Sequence, residues 1–301
     1  MLAILAPGQG SQSPAMLAPW CEDAVLRSFV EETSAAIELD LIHLGTQAGA
    51  DEIKDTAVAQ PLIVIAGFLG YRALGITPSL VAGHSVGEIT AAGFAGVISE
   101  ADALSLVRTR GKEMAEVAAT TDSGMSAILG GERADVLAAI TQHGLVAAND
   151  NGAGQIVAAG ERSALEELAS NPPAGARVRA LAVAGAFHSP LMAAVRQPLQ
   201  THAATLSLHA PSMTIISNKD GAAMATGEEV IARIVEQVAQ PVRWDLCMSA
   251  LVSAGVTGVI EVPPAGTLVG LLKRNVPAVE TFALKTPDDL AAAREFAAAH
   301  R

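Results

Sequence analysis

The sequence predicts an α/β protein: a mostly parallel sheet with helices on both faces, into which a small second unit is inserted. Three observations predict it. Short apolar runs alternate with helical stretches over most of the chain, the pattern of a parallel sheet. One run, Ser79 to Ala82, leads into Gly83-His84-Ser85-Val86-Gly87 and then into small helix-forming residues, which reads as strand, tight turn and helix. Between about Thr120 and Phe187 the order becomes strand, helix, strand, strand, helix, strand, that of a ferredoxin-like unit. The expected division is therefore a large domain from 1–123 and 188–301, with a small subdomain at 124–187.

The elements follow in order. Ala3 to Pro7 is a first buried strand, and Gly8-Gln9-Gly10-Ser11-Gln12 a glycine-rich loop at its end. That loop lacks the Lys-Ser/Thr ending of a phosphate loop and the spacing of a dinucleotide fingerprint. Pro14 to Ala48 reads as helical and amphipathic. Asp55 to Leu74 is a buried helix, and Glu100 to Ala118 another with Ser99 as N-cap. In the small unit, strands are expected at Ser126 to Leu129, Leu145 to Asn149, Gln155 to Ala159 and Arg177 to Val183. Its helices are Ala134 to Gln142 and Ser163 to Ala169, with hinges at Thr120 to Gly124 and Val183 to Phe187. Then come a helix from Leu191 to Thr205, a strand from Met213 to Ser217, and a helix from Gly227 to Ala239. Pro241-Val242-Arg243-Trp244 opens a helix to Ala254. Gly258 to Val262 is a strand, Leu268 to Arg274 a helix, Phe282 to Leu284 a last strand and Asp288 to His300 a terminal helix.

Composition narrows the function. At 301 residues the chain can bury a full core, and half of it is hydrophobic while only 17% is charged. A formal net charge of −12 speaks against nucleic acid or an anionic membrane as the main partner. An acidic protein partner would need a local basic patch, for which Lys273 with Arg274, or Arg177 with Arg179, are candidates. Arg72 interrupts the longest apolar stretch, Pro61 to Tyr71, short of a membrane span. The start lacks the basic segment of a signal peptide. Cys21 and Cys247 suggest neither a disulfide framework nor a metal site, so a cytoplasmic protein is expected.

The chemistry centres on Ser85. Glycines on both sides let the backbone turn sharply, push the hydroxyl out and aim the next amide N–H at the same space, as in an α/β-hydrolase-like domain. A serine nucleophile needs a base. Of seven histidines, His188 lies in the small, apolar stretch Gly185-Ala186-Phe187-His188-Ser189-Pro190 at a domain junction, a setting that keeps it neutral over a cleft. His84 adjoins the serine, but its side chain should point away as a packing residue.

Four motifs occur in a familiar order: Gly8-Gln9-Gly10-Ser11-Gln12, Gly83-His84-Ser85-Val86-Gly87-Glu88, Arg110-Gly111-Lys112-Glu113-Met114 and Phe187-His188-Ser189-Pro190-Leu191-Met192. Together with Asn149, Asn151, Gln155, Val157 and Gly160 they resemble the malonyl-CoA:acyl-carrier-protein transacylases, the acyltransferases of fatty acid and polyketide synthesis. The resemblance covers essentially the whole chain. It implies Ser85 as nucleophile and His188 as its base, without a third carboxylate. It implies that the backbone carbonyl of Gln237 orients the histidine and that the amides of Gln9 and Val86 form the oxyanion hole. Arg110 would bind the free malonyl carboxylate, its planar fork suiting that group, with Gln60, Asn149 and Phe187 also in the substrate site. The partners implied are malonyl-CoA and acyl carrier protein, with no cofactor and no metal. Pro263-Pro264-Ala265-Gly266 departs from the glycine-rich turn of the family and leaves that loop's shape open. A stand-alone polyketide acyltransferase of the same chemistry, a serine thioesterase or hydrolase, and a carrier-binding module without turnover are the alternatives.

Overall fold

A computed structural model describes all 301 residues. The chain opens with β1 (Leu2–Ala6), every residue of which is buried. Helices α1 (Ala24–Ala36), α2 (Leu41–Thr46) and α3 (Thr56–Leu74) follow, each capped at its start by an aspartate, Asp23, Asp40 or Asp55, whose side chain accepts from first-turn N–H groups. β2 (Leu80–Gly83), α4 (Gly87–Phe94) and α5 (Glu100–Ala118) complete the first half. The second unit runs β3 (Ser123–Gly130), α6 (Arg133–Gln142), β4 (Val146–Asp150), β5 (Gln155–Glu161), α7 (Arg162–Ser170) and β6 (Ala176–Ala180). The chain then returns through α8 (Arg196–Ala203), β7 (Thr214–Ile216), α9 (Gly227–Gln237), β8 (Val242–Arg243) and α10 (Trp244–Ser253). It ends with β9 (Gly258–Glu261), α11 (Thr267–Asn275), β10 (Glu280–Ala283) and α12 (Leu290–Ala299).

Two sheets result. The first has the order β10-β9-β1-β2-β7, and all its pairings are parallel. Its central strands are continuous apolar runs because helices cover both faces. The second has the order β6-β3-β5-β4-β8. Its first four strands pair antiparallel, whereas β8 adds to β4 in parallel. One face of this sheet buries Ile128, Ile156 and Ala158 against Val136, Ile140, Leu165 and Leu168 of its two helices.

Several expectations change. Pro14–Ala48 is not one helical stretch: a 3-10 turn at Trp20–Glu22 precedes α1, and Glu38, at φ 51°, breaks the chain before α2. The expected helix from Leu191 to Thr205 is a 3-10 turn, Pro190–Val195, followed by α8. Pro198 explains the break, since a proline without N–H fits the first turn of a new helix but not the interior of a longer one. Val242 and Arg243 form a strand rather than a helix start, so the second sheet receives its last strand from far along the chain, beyond β3 to β6. β3 already begins at Ser123, inside the expected hinge. Finally, α3 runs on through Arg72 and is by length and composition long and apolar enough to cross a membrane. Here it is a core helix, buried from Ala59 through Gly70.

Candidate active site

Ser85 stands where β2 ends and α4 begins, at the carboxyl edge of the parallel sheet. The turn is tight enough to require glycine on both sides. A Cβ on Gly83 would lie 1.9 Å from the Gly87 carbonyl carbon, and one on Gly87 would lie 2.2 Å from the Ala6 carbonyl oxygen. Ser85 itself has φ 53°, a left-handed conformation that a serine adopts only when its surroundings impose it. Asn218, just past the neighbouring strand β7, imposes it. Its Oδ1 accepts from the Ser85 N–H at 2.7 Å, and its Nδ2 donates to the Gly83 carbonyl at 2.7 Å.

His188 reaches the serine from the stretch between β6 and α8. Its backbone is also left-handed, at φ 59°, and its N–H donates to the Val238 carbonyl at 3.1 Å. Nδ1 lies 2.8 Å from the Gln237 carbonyl oxygen, which can only accept, so Nδ1 carries the proton. Nε2 is therefore the free base, 2.7 Å from Ser85 Oγ, and the serine hydroxyl donates to it. Burial first, and then the Arg110 charge, push His188 down to about 3. The imidazole is thus neutral over the working pH range.

Arg110 comes from α5. Buried positions on that helix fall at Ala103, Leu104, Leu106, Val107, Arg110, Gly111, Met114 and Ala118, one continuous stripe against the core. A guanidinium occupies a place in that stripe where an apolar side chain would ordinarily sit. It is 1% exposed. One amino group donates to Gln60 Oε1 at 2.7 Å, and the other to Gln237 Oε1 at 3.0 Å and to Ser85 Oγ at 3.3 Å. No carboxylate touches it, and its Nε–H has no partner. Burial pulls it down to about 10, against the charge of Glu88, so it remains a cation. A fully buried cation bonded only to neutral amide oxygens and a hydroxyl has the capacity to receive an anion.

These groups line a cleft of about 200 Å³ between the two sheets. Gln9, Gln60 and Arg110 form its floor with Ser85 and His188; Met125, Asn149, Val157 and Phe187 form one wall, and Leu268 and Leu271 of α11 the other. Gln9 donates from Nε2 to Thr56 Oγ1 at 3.1 Å, while the backbone N–H groups of Gln9 and Val86 donate to nothing in the protein. Of the residues expected in the site, Gln9, Gln60, Ser85, Arg110, Asn149, Phe187 and His188 line this cleft, whereas Val86 and Gln237 do not. Val86 is buried behind the elbow with its amide at the turn, and Gln237 lies beneath Ser85.

Other members were missed. Asn218 lies just beyond the expected strand Met213 to Ser217, and Glu88 closes the elbow motif, with no site role expected of either. Glu88 is buried, at 1% exposure, and accepts from Asn218 N and from Gln237 Nε2. Burial pushes its carboxyl up to about 8, while those two donors and the Arg110 charge pull the other way. The signal was present: Glu88 is a lone acid in the otherwise small and apolar helix α4. His84 stands edge-on to Trp244 as a packing residue would, but it also lines the cleft, and its Nε2 meets Asn151 Oδ1 at 2.9 Å.

A neutral histidine on a serine at a strand-to-helix elbow is the apparatus of an acyl-transferring serine enzyme. The chain belongs to the acyl transferase family, whose profile, described as acyl transferase domain, matches residues 5–287. It is 49% identical over 296 residues to the malonyl CoA-acyl carrier protein transacylase of Mycobacterium tuberculosis, covering 96% of this chain and 98% of that one. The crystal structure of MCAT from the same organism matches with a TM-score of 0.95 at 48% identity, over 98% of this chain and 99% of the other. A malonyl-transacylase solved in complex with its type II PKS acyl-carrier protein matches with a TM-score of 0.93 at 31% identity, over 98% and 99%.

Proposed function

We propose that the protein transfers a malonyl group from malonyl-CoA to the phosphopantetheine thiol of acyl carrier protein, through an ester on Ser85. The observation that carries this reading is the placement of Arg110. A buried guanidinium without a carboxylate partner lies 3.3 Å from the hydroxyl that His188 activates. Only an acyl group with its own anion satisfies both.

The steps follow from the geometry. His188 Nε2 takes the Ser85 proton as Oγ attacks the thioester carbonyl, and the unpaired amides of Gln9 and Val86 hold the developing oxyanion. The C–S bond breaks and CoA leaves as its thiol, taking the proton from His188. The malonyl ester remains with its carboxylate on Arg110, displacing the amide oxygens of Gln60 and Gln237. The carrier thiol then attacks the ester with His188 again as base, and Ser85 regains its proton. The partner of His188 Nδ1 is a backbone carbonyl rather than a carboxylate. That arrangement orients the ring without strengthening the base toward water, which favours transfer over hydrolysis. Asn149 and Phe187 serve as cleft walls for the acyl and pantetheine portions.

The fold supports the same reading. The order β6-β3-β5-β4, with two helices on one face, supports a ferredoxin-like subdomain at 124–187 inserted into an α/β-hydrolase-like domain of 1–123 and 188–301. The chemistry is the same for fatty acid and polyketide carriers. The test is malonyl transfer by wild-type and Ser85→Ala protein, each given malonyl-CoA and a phosphopantetheinylated carrier. Ser85→Ala is expected to fold and to lose on the order of 10⁴- to 10⁶-fold in turnover. Transfer by the variant at a rate near wild type would overturn the assignment.

A further inference from the structure

Glu88 is a buried carboxyl that neither touches the cleft nor takes part in the steps above, yet both members of the dyad are tied to it. Its Oε1 accepts from the backbone N–H of Asn218, whose side chain grips the elbow at Ser85 N and Gly83 O. Its Oε2 accepts from Gln237 Nε2. The same Nε2 lies 3.1 Å from the Ser85 carbonyl and 3.2 Å from Asn218 Oδ1, and the Gln237 backbone carbonyl receives His188 Nδ1–H. Arg110 fixes which way the Gln237 amide faces: a guanidinium donates only, so Oε1 must turn toward it and Nε2 toward Glu88. Both neighbours of the Glu88 carboxyl are thus donors, and position 88 must offer two acceptors.

We infer that Glu88 is a positioning residue for both halves of the dyad, holding Ser85 through Asn218 and His188 through Gln237. The inference rests on the proposed roles of Ser85 and His188. A carboxylate suits the position because each oxygen accepts independently, and the two donors with the Arg110 charge favour that form against burial. A glutamine of the same shape would turn an NH₂ group toward one of the two donors. Losing one hold shifts the serine or the histidine by a fraction of an ångström, and misplacement of about 1 Å costs on the order of 100-fold in rate.

The test is a cycle of Glu88→Gln, Asn218→Ala and the double variant. The readouts are the rate at which a fluorophosphonate labels Ser85 and the kcat and KM for malonyl transfer. The probe is neutral, so its rate reports the dyad without Arg110. Asn218→Ala keeps the backbone N–H that Glu88 holds but removes the grip on Ser85. Glu88→Gln should lower labelling and kcat together, by about 10- to 100-fold, with KM for malonyl-CoA within about threefold of wild type. In the double variant the loss should be clearly smaller than the product of the single losses, because one arm of the hold is already gone. Wild-type labelling by Glu88→Gln, or single losses that simply multiply, would overturn the inference. Should Glu88→Gln not fold, Glu88→Asp completes the same cycle, since it keeps two acceptors but withdraws them by one methylene. Failure of the wild-type protein to label would remove the proposed nucleophile itself. Labelled wild type with an unaffected Glu88 variant would remove the positioning role alone.

Discussion

On the proposed reading, Arg110 concentrates the specificity of the site in one side chain. It occupies a position in a core stripe, and its charge is answered only by amide oxygens and a hydroxyl. Arg110→Ala should therefore lose about 2–4 kcal/mol in malonyl transfer, as expected when a desolvated carboxylate loses its partner. Transfer from acetyl-CoA, which has no such charge, should change little. Arg110→Lys should restore part of the malonyl activity, since an ammonium cannot make two parallel bonds. Parallel kcat/KM measurements on both thioesters check this, and equal losses would assign Arg110 to the general integrity of the cleft. The same charge bears on pH. The His188 value of about 3 in the folded protein lies below its ordinary 6.5, so the fold favours the neutral ring. Its contribution to stability is complete above 6.5 and is lost as pH falls toward 3. Acyl-enzyme formation should accordingly stay level as pH drops through 6.5. In Arg110→Ala the acid limb should move toward neutral, because the largest of the charges holding the ring down is gone. Ser85, His188 and Arg110 were legible because their chemistry is tied to local motifs. Glu88 and Asn218 were not, since their meaning depends on donors brought in from residues more than a hundred positions away.

Among the elements, the segment after β9 shows how a departure in sequence is accommodated. Helix α11, which forms one wall of the cleft, begins at Gly266 without a side-chain cap of its own. Glu261, the last residue of β9 and fully buried, supplies it. Its carboxylate accepts from Gly266 N at 2.9 Å, Leu268 N at 3.0 Å and Val269 N at 2.9 Å. Three backbone donors and the positive end of the helix meet one carboxylate, so the Pro263-Pro264-Ala265-Gly266 loop needs no cap within itself. Glu261→Ala should cost about 2–4 kcal/mol in denaturant unfolding, since it leaves buried N–H groups unpaired. A cost below about 0.5 kcal/mol would show that the cap contributes nothing. The strands and long helices were readable from apolar runs and periodicity. The breaks were not: Asp23 and Asp40 act as caps only once the chain has turned, and two residues at Val242 and Arg243 become a strand only because β4 offers an edge.

Across the whole molecule, the cleft depends on ties between the two sheets. β8 extends the second sheet from the C-terminal half, and Arg243 N also donates to the Asn218 carbonyl at 2.7 Å. His84 meets Asn151 across the gap, Asn275 Nδ2 donates to the Asn151 carbonyl at 3.2 Å, and Arg274 donates to Gln155 at 3.1 Å. Asn151→Ala removes the tie between the elbow and the loop after β4. It should raise KM for malonyl-CoA about three- to tenfold while leaving fluorophosphonate labelling of Ser85 within about twofold. Labelling that falls as far as transfer would mean that Asn151 supports the dyad itself. The net charge of −12 leaves the exposed pairs Lys273 with Arg274 and Arg177 with Arg179 as local basic points. The second sheet was legible from the change in strand and helix order, but the last strand added to it, β8, was not.

The central claim is that a malonyl group waits on Ser85, with its carboxylate on Arg110, for a thiol rather than for water. Intact-protein mass spectrometry after mixing with malonyl-CoA, first alone and then with a phosphopantetheinylated carrier, tests it most directly. The expected result is one malonyl adduct per chain, mapped to Ser85 and absent in Ser85→Ala. It should persist in buffer and be discharged onto the carrier thiol. An adduct that maps elsewhere, or one that water removes as fast as the carrier does, would contradict the account.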